Sequence, residues 1–231
     1  MKKIKISSEV DYILAILLLS LSVAMISCTD FGVSMIVAPA YILSQKVPFL
    51  TFGQSEYVLQ GVLIIVFCIL MRRVKLIYFS SFATGLVYGA ALDLWRLVIP
   101  HFNPDITPPG SLPLWLKLLY FTVGMTATSL SIAMFFRTYL YPQVYDFFVK
   151  GVAEKFGLNR NKFKICYDAA FLVISCAMTL ILFHKFVGVG VGTLVMTACN
   201  GVLIGLFGKL LDRFFVFEPR FKKFARYFEI T

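Results

Sequence analysis

Six long apolar runs, at about 12–28, 55–71, 76–95, 115–136, 168–186 and 188–210, are separated by short polar stretches. Each approaches the roughly 20 residues that a helix needs to cross a bilayer, so the predicted elements are membrane-spanning helices. Two shorter apolar stretches break this rhythm. Residues 33–43 are too few to cross and carry Pro39, which predicts a kinked re-entrant or interfacial helix on the outer face. Residues 141–158 place Val144, Phe147, Phe148, Val152 and Phe156 on one face, the pattern of an amphipathic helix lying on the inner surface.

The runs fall into two related sets of three. Ser-Leu-Ser-Val-Ala-Met at 20–25 returns as Ser-Leu-Ser-Ile-Ala-Met at 129–134, each opening a block of similar layout. In the third run of each set a polar residue precedes Gly-x-x-x-Gly: Thr84 before Gly85 and Gly89, and Asn200 before Gly201 and Gly205. An odd number of spans per block turns the second block upside down relative to the first, the layout of inverted repeats. The expected fold is all-α: a polytopic membrane protein with six transmembrane helices in two inverted three-helix repeats. A short re-entrant or amphipathic segment follows the first helix of each repeat. The chain is one membrane domain, with repeat 1 at 10–97, repeat 2 at 114–213 and a basic cytoplasmic tail at 214–231. Both glycine motifs are expected to pack closely, near a pseudo-two-fold axis passing by Thr84 and Asn200.

Composition agrees with this picture. Hydrophobic residues make up 59% of the chain and charged ones 15%, against roughly a quarter charged in soluble domains. The net charge of +10 is a topology signal, not a nucleic-acid surface: all but Lys46, Arg96, Lys117 and Lys185 of the 22 basic residues fall on one side of the six-span layout. The positive-inside rule puts that side, with both termini, in the cytoplasm. The basic, aromatic tail suits anionic lipids at that face. Lys2, Lys3 and the leucine-rich run ending at Cys28 imitate a lipoprotein signal peptide, but Glu9 and Asp11 interrupt it and the first run is needed to complete the repeat. It is expected to stay in the protein.

Candidate chemistry is sparse. The five cysteines show no metal or redox spacing, and no hydrolase, zinc or nucleotide motif occurs. Neither an enzyme nor a cofactor or metal is expected. Polar residues at membrane depth are the better lead, because lipid burial is costly for them. The candidate solute-binding residues are Glu56, Gln60, Thr84, Asp93 and Asn200. Glu56, Asp93 and Asp30 gather at the outer span ends, with Gln60 just below Glu56. Each has a plainer reading: Asn200 as interhelical glue, Thr84 bonded to its own helix, Glu56 favoured by a helix dipole, and Asp93 paired with Arg96 one turn away. Asp168 and Asp212 sit at inner span ends, where first-turn or end-of-helix carboxylates are common.

Gly32–Tyr41, Thr51–Gln60 and the Met71-Arg72-Arg73 turn resemble the YczE/YyaS/YitT-type bacterial integral membrane proteins, over most of the chain. Many of those proteins carry a Gly-x-Gly-Pro-Trp-Asp-like turn after span one, where this chain has Phe31-Gly32-Val33-Ser34-Met35. The resemblance implies a six-span fold in a bacterial inner membrane and no substrate. Inverted repeats suggest a small secondary transporter or permease for a small solute, with its site between the halves. The alternative is a non-transporting regulatory or assembly subunit, with a homodimer or partner protein. A substrate-binding subunit of a vitamin importer, also of six spans, fits the internal symmetry less well.

Overall fold

The computed structural model describes residues 4–75 and 78–221, so Lys222, Lys223 and Arg226 of the basic tail lie outside the described residues. The chain runs β1 (Ile4–Ser7), α1 (Ser8–Ser27), α2 (Ala38–Lys46), α3 (Phe52–Met71), α4 (Tyr78–Val98), α5 (Leu114–Phe135), α6 (Val144–Phe156), α7 (Arg160–Phe183), α8 (Val191–Phe214) and β2 (Phe215–Glu218). Helices α1, α3, α5, α7 and α8 are long and apolar enough to cross a membrane. This is a membrane protein in contact with lipid. Helix α4 has spanning length as well, but Ser80, Ser81, Thr84, Asp93 and Arg96 dilute its apolar character.

Local chemistry sets several helix ends. Thr51 and Gln54 form a reciprocal capping box at the start of α3. Asn159 accepts from the amides of Asn161 and Lys162 at the start of α7. Gly157 ends α6 at φ +64°, a conformation that glycine adopts without penalty. Pro39 does not kink α2. It sits in the first turn, where its missing N–H has no intrahelical partner to lose.

Contacts define how the long helices run. Tyr12 meets Phe135 edge-on, the Ser131 hydroxyl donates to the Ala15 carbonyl, and Ser22 bonds Thr128. As one number rises the other falls, so α1 and α5 are antiparallel. Tyr12 with Thr84 and Trp95 with Ser20 make α4 parallel to α1. Ser129 with Asn200 and Arg137 with Gly208 make α8 parallel to α5. The two serines of each repeated hexapeptide are thereby put to the same uses. Ser20 and Ser129 bond the parallel helix of their own half, while Ser22 and Ser131 bond across the α1–α5 contact.

The short helices bridge the halves: α2 packs on α3 and on α7, and α6 packs on α7, α3 and α4. This corrects one expectation. The face of α6 carrying Val144, Phe147, Phe148 and Val152 is buried by protein in a cluster with Phe67, Tyr78, Tyr167 and Phe171, not laid on the membrane surface. Likewise Ala38–Ile42 of α2 is buried. An amphipathic pattern records that one face is covered, and either lipid or protein satisfies it.

The strands β1 and β2 form a parallel pair joining the two ends of the described chain, an element with no counterpart in the expected all-α layout. Lys5 bonds Glu218, and the Glu9 carboxylate accepts from the amides of Arg220 and Phe221 and from the Tyr139 hydroxyl. Burial, then the Glu9 carboxylate, hold the Tyr139 phenol up at about 12, so it stays a donor throughout the neutral range. With α1 in contact with α4, α5 and β1, the first apolar run is the centre of the fold. On the same side Arg137 donates to Asp212 and to the Gly208 and Ala133 carbonyls. Lysine cannot reproduce that fork. Arg137→Lys is expected to cost about 1–2 kcal/mol of stability by the usual worth of charged hydrogen bonds, read as a lower thermal unfolding midpoint in detergent.

Candidate functional site

A cavity of about 80 Å³ lies where the halves meet. The first half contributes α1 (Val23), the 33–37 turn and Tyr88 of α4. The second contributes Thr128, Gln143, Tyr145, Asp146 and Met196. It is smaller than the roughly 150 Å³ cavity that accepts benzene. Its wall is largely apolar, and two of its lining residues carry a buried polar atom without a hydrogen-bond partner: the Tyr88 hydroxyl and Gln143 Nε2. Leaving such an atom unbonded costs about 1–3 kcal/mol, so a small side-chain movement that brought either to a partner would be favoured.

Behind the Tyr88 and Tyr145 wall sits a polar cluster sealed from solvent. Glu56 on α3 is fully buried, and its Oε2 accepts from the Tyr145 hydroxyl at 2.7 Å and from Gln60 Nε2 at 3.1 Å. The i, i+4 spacing of Glu56 and Gln60 on one helix makes the second bond local. The first bond joins α3 to α6, one half to the other. Glu56 Oε1 and Gln60 Oε1 have no partner. A fully buried carboxylate without a counter-charge is penalised by several kcal/mol.

Gln60 is seated there by a glycine. A Cβ on Gly85 would occupy the space of the Gln60 amide, so the first glycine of the α4 motif makes room for this side chain. The second, Gly89, admits the Tyr57 ring and the Gly53 backbone.

The five predicted residues are therefore only partly brought together. Glu56 and Gln60 form one cluster, reaching the cavity through Tyr145. Asp93 serves the fold instead. Its carboxylate accepts the Gly53 amide at 2.8 Å and the Thr51 hydroxyl at 2.5 Å, clamping the α3 N-terminus to α4. The Thr84 hydroxyl is engaged by the Tyr12 hydroxyl and the Tyr141 carbonyl. Asn200 is half-buried and accepts from Ser129 at 3.3 Å. None of the five lines the cavity itself. Elsewhere, Asp168 pairs with Lys164 and Asp212 with Arg137. Asp30 is exposed, in the left-handed turn after α1.

Thr84 and Asn200 are also not equivalents. Thr84 bonds the Tyr141 carbonyl ahead of α6, and Thr193 bonds the Val33 carbonyl ahead of α2 at 2.8 Å. Thr84 and Thr193 lie the same interval apart as Ser20 and Ser129. The glycine motifs differ accordingly: a Cβ at Gly85 or Gly89 meets neighbours at once, whereas Gly201 and Gly205 have nothing within 4 Å among the described residues.

The pattern along the chain does not reveal Tyr88, Gln143 and Tyr145. Tyr145 stands on the apolar face of α6, where the pattern alone points to lipid. Tyr88 lies between two motif glycines, a setting that asks for a large side chain beside a close helix crossing.

Residues 6–209 match the model of a protein family described as a family of unknown function (DUF6198). The uncharacterized protein YyaS of Bacillus subtilis (strain 168) is 25% identical over 213 residues, covering 90% of this chain and 96% of that relative. No solved structure matches.

Proposed function

We propose, for a chain that belongs to this family of unknown function, DUF6198, that it is a small secondary transporter or permease whose solute site is the cavity between the halves. One observation carries the proposal: a cavity walled by both halves, lined among others by Tyr88 and Gln143, each with an unpartnered buried polar atom, and with the Glu56–Gln60 cluster behind it. Two related halves that share a central site can trade inward- and outward-open arrangements around it. The antiparallel α1–α5 contact and the bridging short helices support two inverted three-helix repeats about a pseudo-two-fold axis, with α4 as the sixth span. The paired chain ends and the distribution of basic residues support cytoplasmic termini in a bacterial inner membrane. The wider YczE and YitT kinship is carried in the same sense.

The solute is small and polar, with both a donor and an acceptor to meet Gln143 Nε2 and the Tyr88 hydroxyl. Proteoliposomes tested by stopped-flow light scattering against urea, glycerol and acetamide are expected to pass at least one of them faster than protein-free vesicles. Gln143→Leu and Glu56→Ala are expected to reduce that flux at least tenfold. Flux equal to that of empty vesicles for all three would sink the assignment.

A second reading, a non-transporting regulatory or assembly subunit, is favoured by α8. Its Gly201 and Gly205 meet no neighbour within 4 Å among the described residues, and Leu194, Val202 and Leu206 are exposed beside them. A stoichiometric partner or second copy that is lost on Gly201→Leu would select this reading.

A further inference from the structure

We propose that Glu56 is a proton-binding site, charged and discharged from the cavity past Tyr145 and Tyr88, whose occupancy sets the contact between α3 and α6. The inference rests on the transport reading, deepens it and names its coupling ion.

What surrounds the carboxyl decides which charge it can keep. From α4, Tyr88 faces it, while Asp93 is spent on the α3 N-terminus and Arg96 lies over the Phe52 ring. From α6, Tyr145 bonds it directly. Asp146 pairs with Lys164, Lys150 lies over Tyr141, and Lys155 donates to the Leu70 carbonyl. From α2, Tyr41 packs on Phe52 and Lys46 donates to the Leu182 carbonyl. Beyond Tyr145 stands Tyr167 of α7. Among the described residues no cation reaches Glu56, and the charges that could have done so are held elsewhere.

A carboxylate in that position needs a positive charge from outside the chain, and the smallest is a proton. The orphaned oxygens give it a place. A proton delivered by hydronium in the cavity, which leaves as water, bonds to Glu56 Oε1, and the unpartnered Gln60 Oε1, one turn along the same helix face, is the acceptor a rotation of either side chain would offer the new hydroxyl. Oε2 keeps the Tyr145 and Gln60 bonds. Release returns the proton to cavity water and leaves an uncompensated buried charge. The relief open to that charge is movement of α6 with Tyr145, which lets water in. Protonation then favours the closed contact and deprotonation an opened one, a two-state element that a proton gradient can bias.

Infrared difference spectroscopy of the full chain in lipid nanodiscs, titrated from acid to alkaline pH, tests this. A carboxylic C=O band is expected that disappears as pH rises and is missing altogether in Glu56→Gln. Tyr145→Phe is expected to keep the band but move it to higher frequency, because the hydroxyl that bonds the carboxyl is gone. A band unchanged in Glu56→Gln, or no titrating band in the folded wild type, overturns the proposal. Vesicles with a trapped pH-sensitive dye separate the two claims. A titrating Glu56 band without solute-linked proton movement leaves the proton site standing and removes transport. Solute flux indifferent to pH and to Glu56→Gln, with no titrating Glu56 band, leaves transport standing and removes the proton site.

Discussion

Leucine at Gly53 or Gly89 is expected to lower the thermal unfolding midpoint by roughly 10 °C, while leucine at Gly201 or Gly205 leaves it nearly unchanged. The reason is what each added side chain meets. A Cβ on Gly53 runs into the Gly89 carbonyl, and one on Gly89 into the Tyr57 ring and the Gly53 carbonyl. Backbone cannot rotate aside as a side chain can, so α3 and α4 must separate, an over-packing cost of about 3 kcal/mol. For a chain of this size each kcal/mol moves the midpoint by about 2–4 °C. At Gly201 and Gly205 nothing stands within 4 Å among the described residues. Four single variants, followed by thermal unfolding in detergent, decide between the two motifs. Equal losses at both would show that α8 is packed as tightly as α4, contrary to this geometry.

The second large effect belongs to Asp93. Asp93→Ala is expected to destabilise the protein by about 3 kcal/mol, since it removes two charge-assisted hydrogen bonds and leaves the Gly53 amide without its acceptor. Asp93→Asn keeps an acceptor and is expected to lose about half as much. Solute flux per folded molecule is expected to survive in both. An unaltered midpoint with abolished flux would instead make Asp93 a solute ligand. The same measurements on Glu56→Gln are expected to show the converse, with little loss of stability and loss of flux, because the amide retains the shape of the carboxyl and an acceptor for Tyr145.

Which residues of the site can be read in advance follows from distance along the chain. Glu56 and Gln60 share one helix face, so spacing alone brings them together. Asp93 looks equally suitable, a carboxylate at a span end, but its role depends on where the α3 N-terminus lands, and nothing local to 93 says so. Asn200 and Thr84 pair in the sequence because each precedes Gly-x-x-x-Gly. The hydrogen bonds pair Thr84 with Thr193, which follows a Gly-x-x-x-Gly (Gly188 to Gly192) where Thr84 precedes one. A motif of small residues permits close approach without providing the helix that approaches. Tyr145 is invisible as a site residue because its partner lies 89 positions away on another helix.

The sequence by itself determined that the chain lives in a membrane, where its long helices fall and that one hexapeptide returns in its second half. Those properties are sums over contiguous residues: apolar length, the placement of lysine and arginine, and the return of a hexapeptide. Only the tertiary structure decided what covers each face. Whether an apolar face meets lipid or protein leaves the same pattern in the chain, so the bridging of the halves by α2 and α6, the burial of Glu56 against Tyr145 and the open face of α8 appear only once the helices are packed.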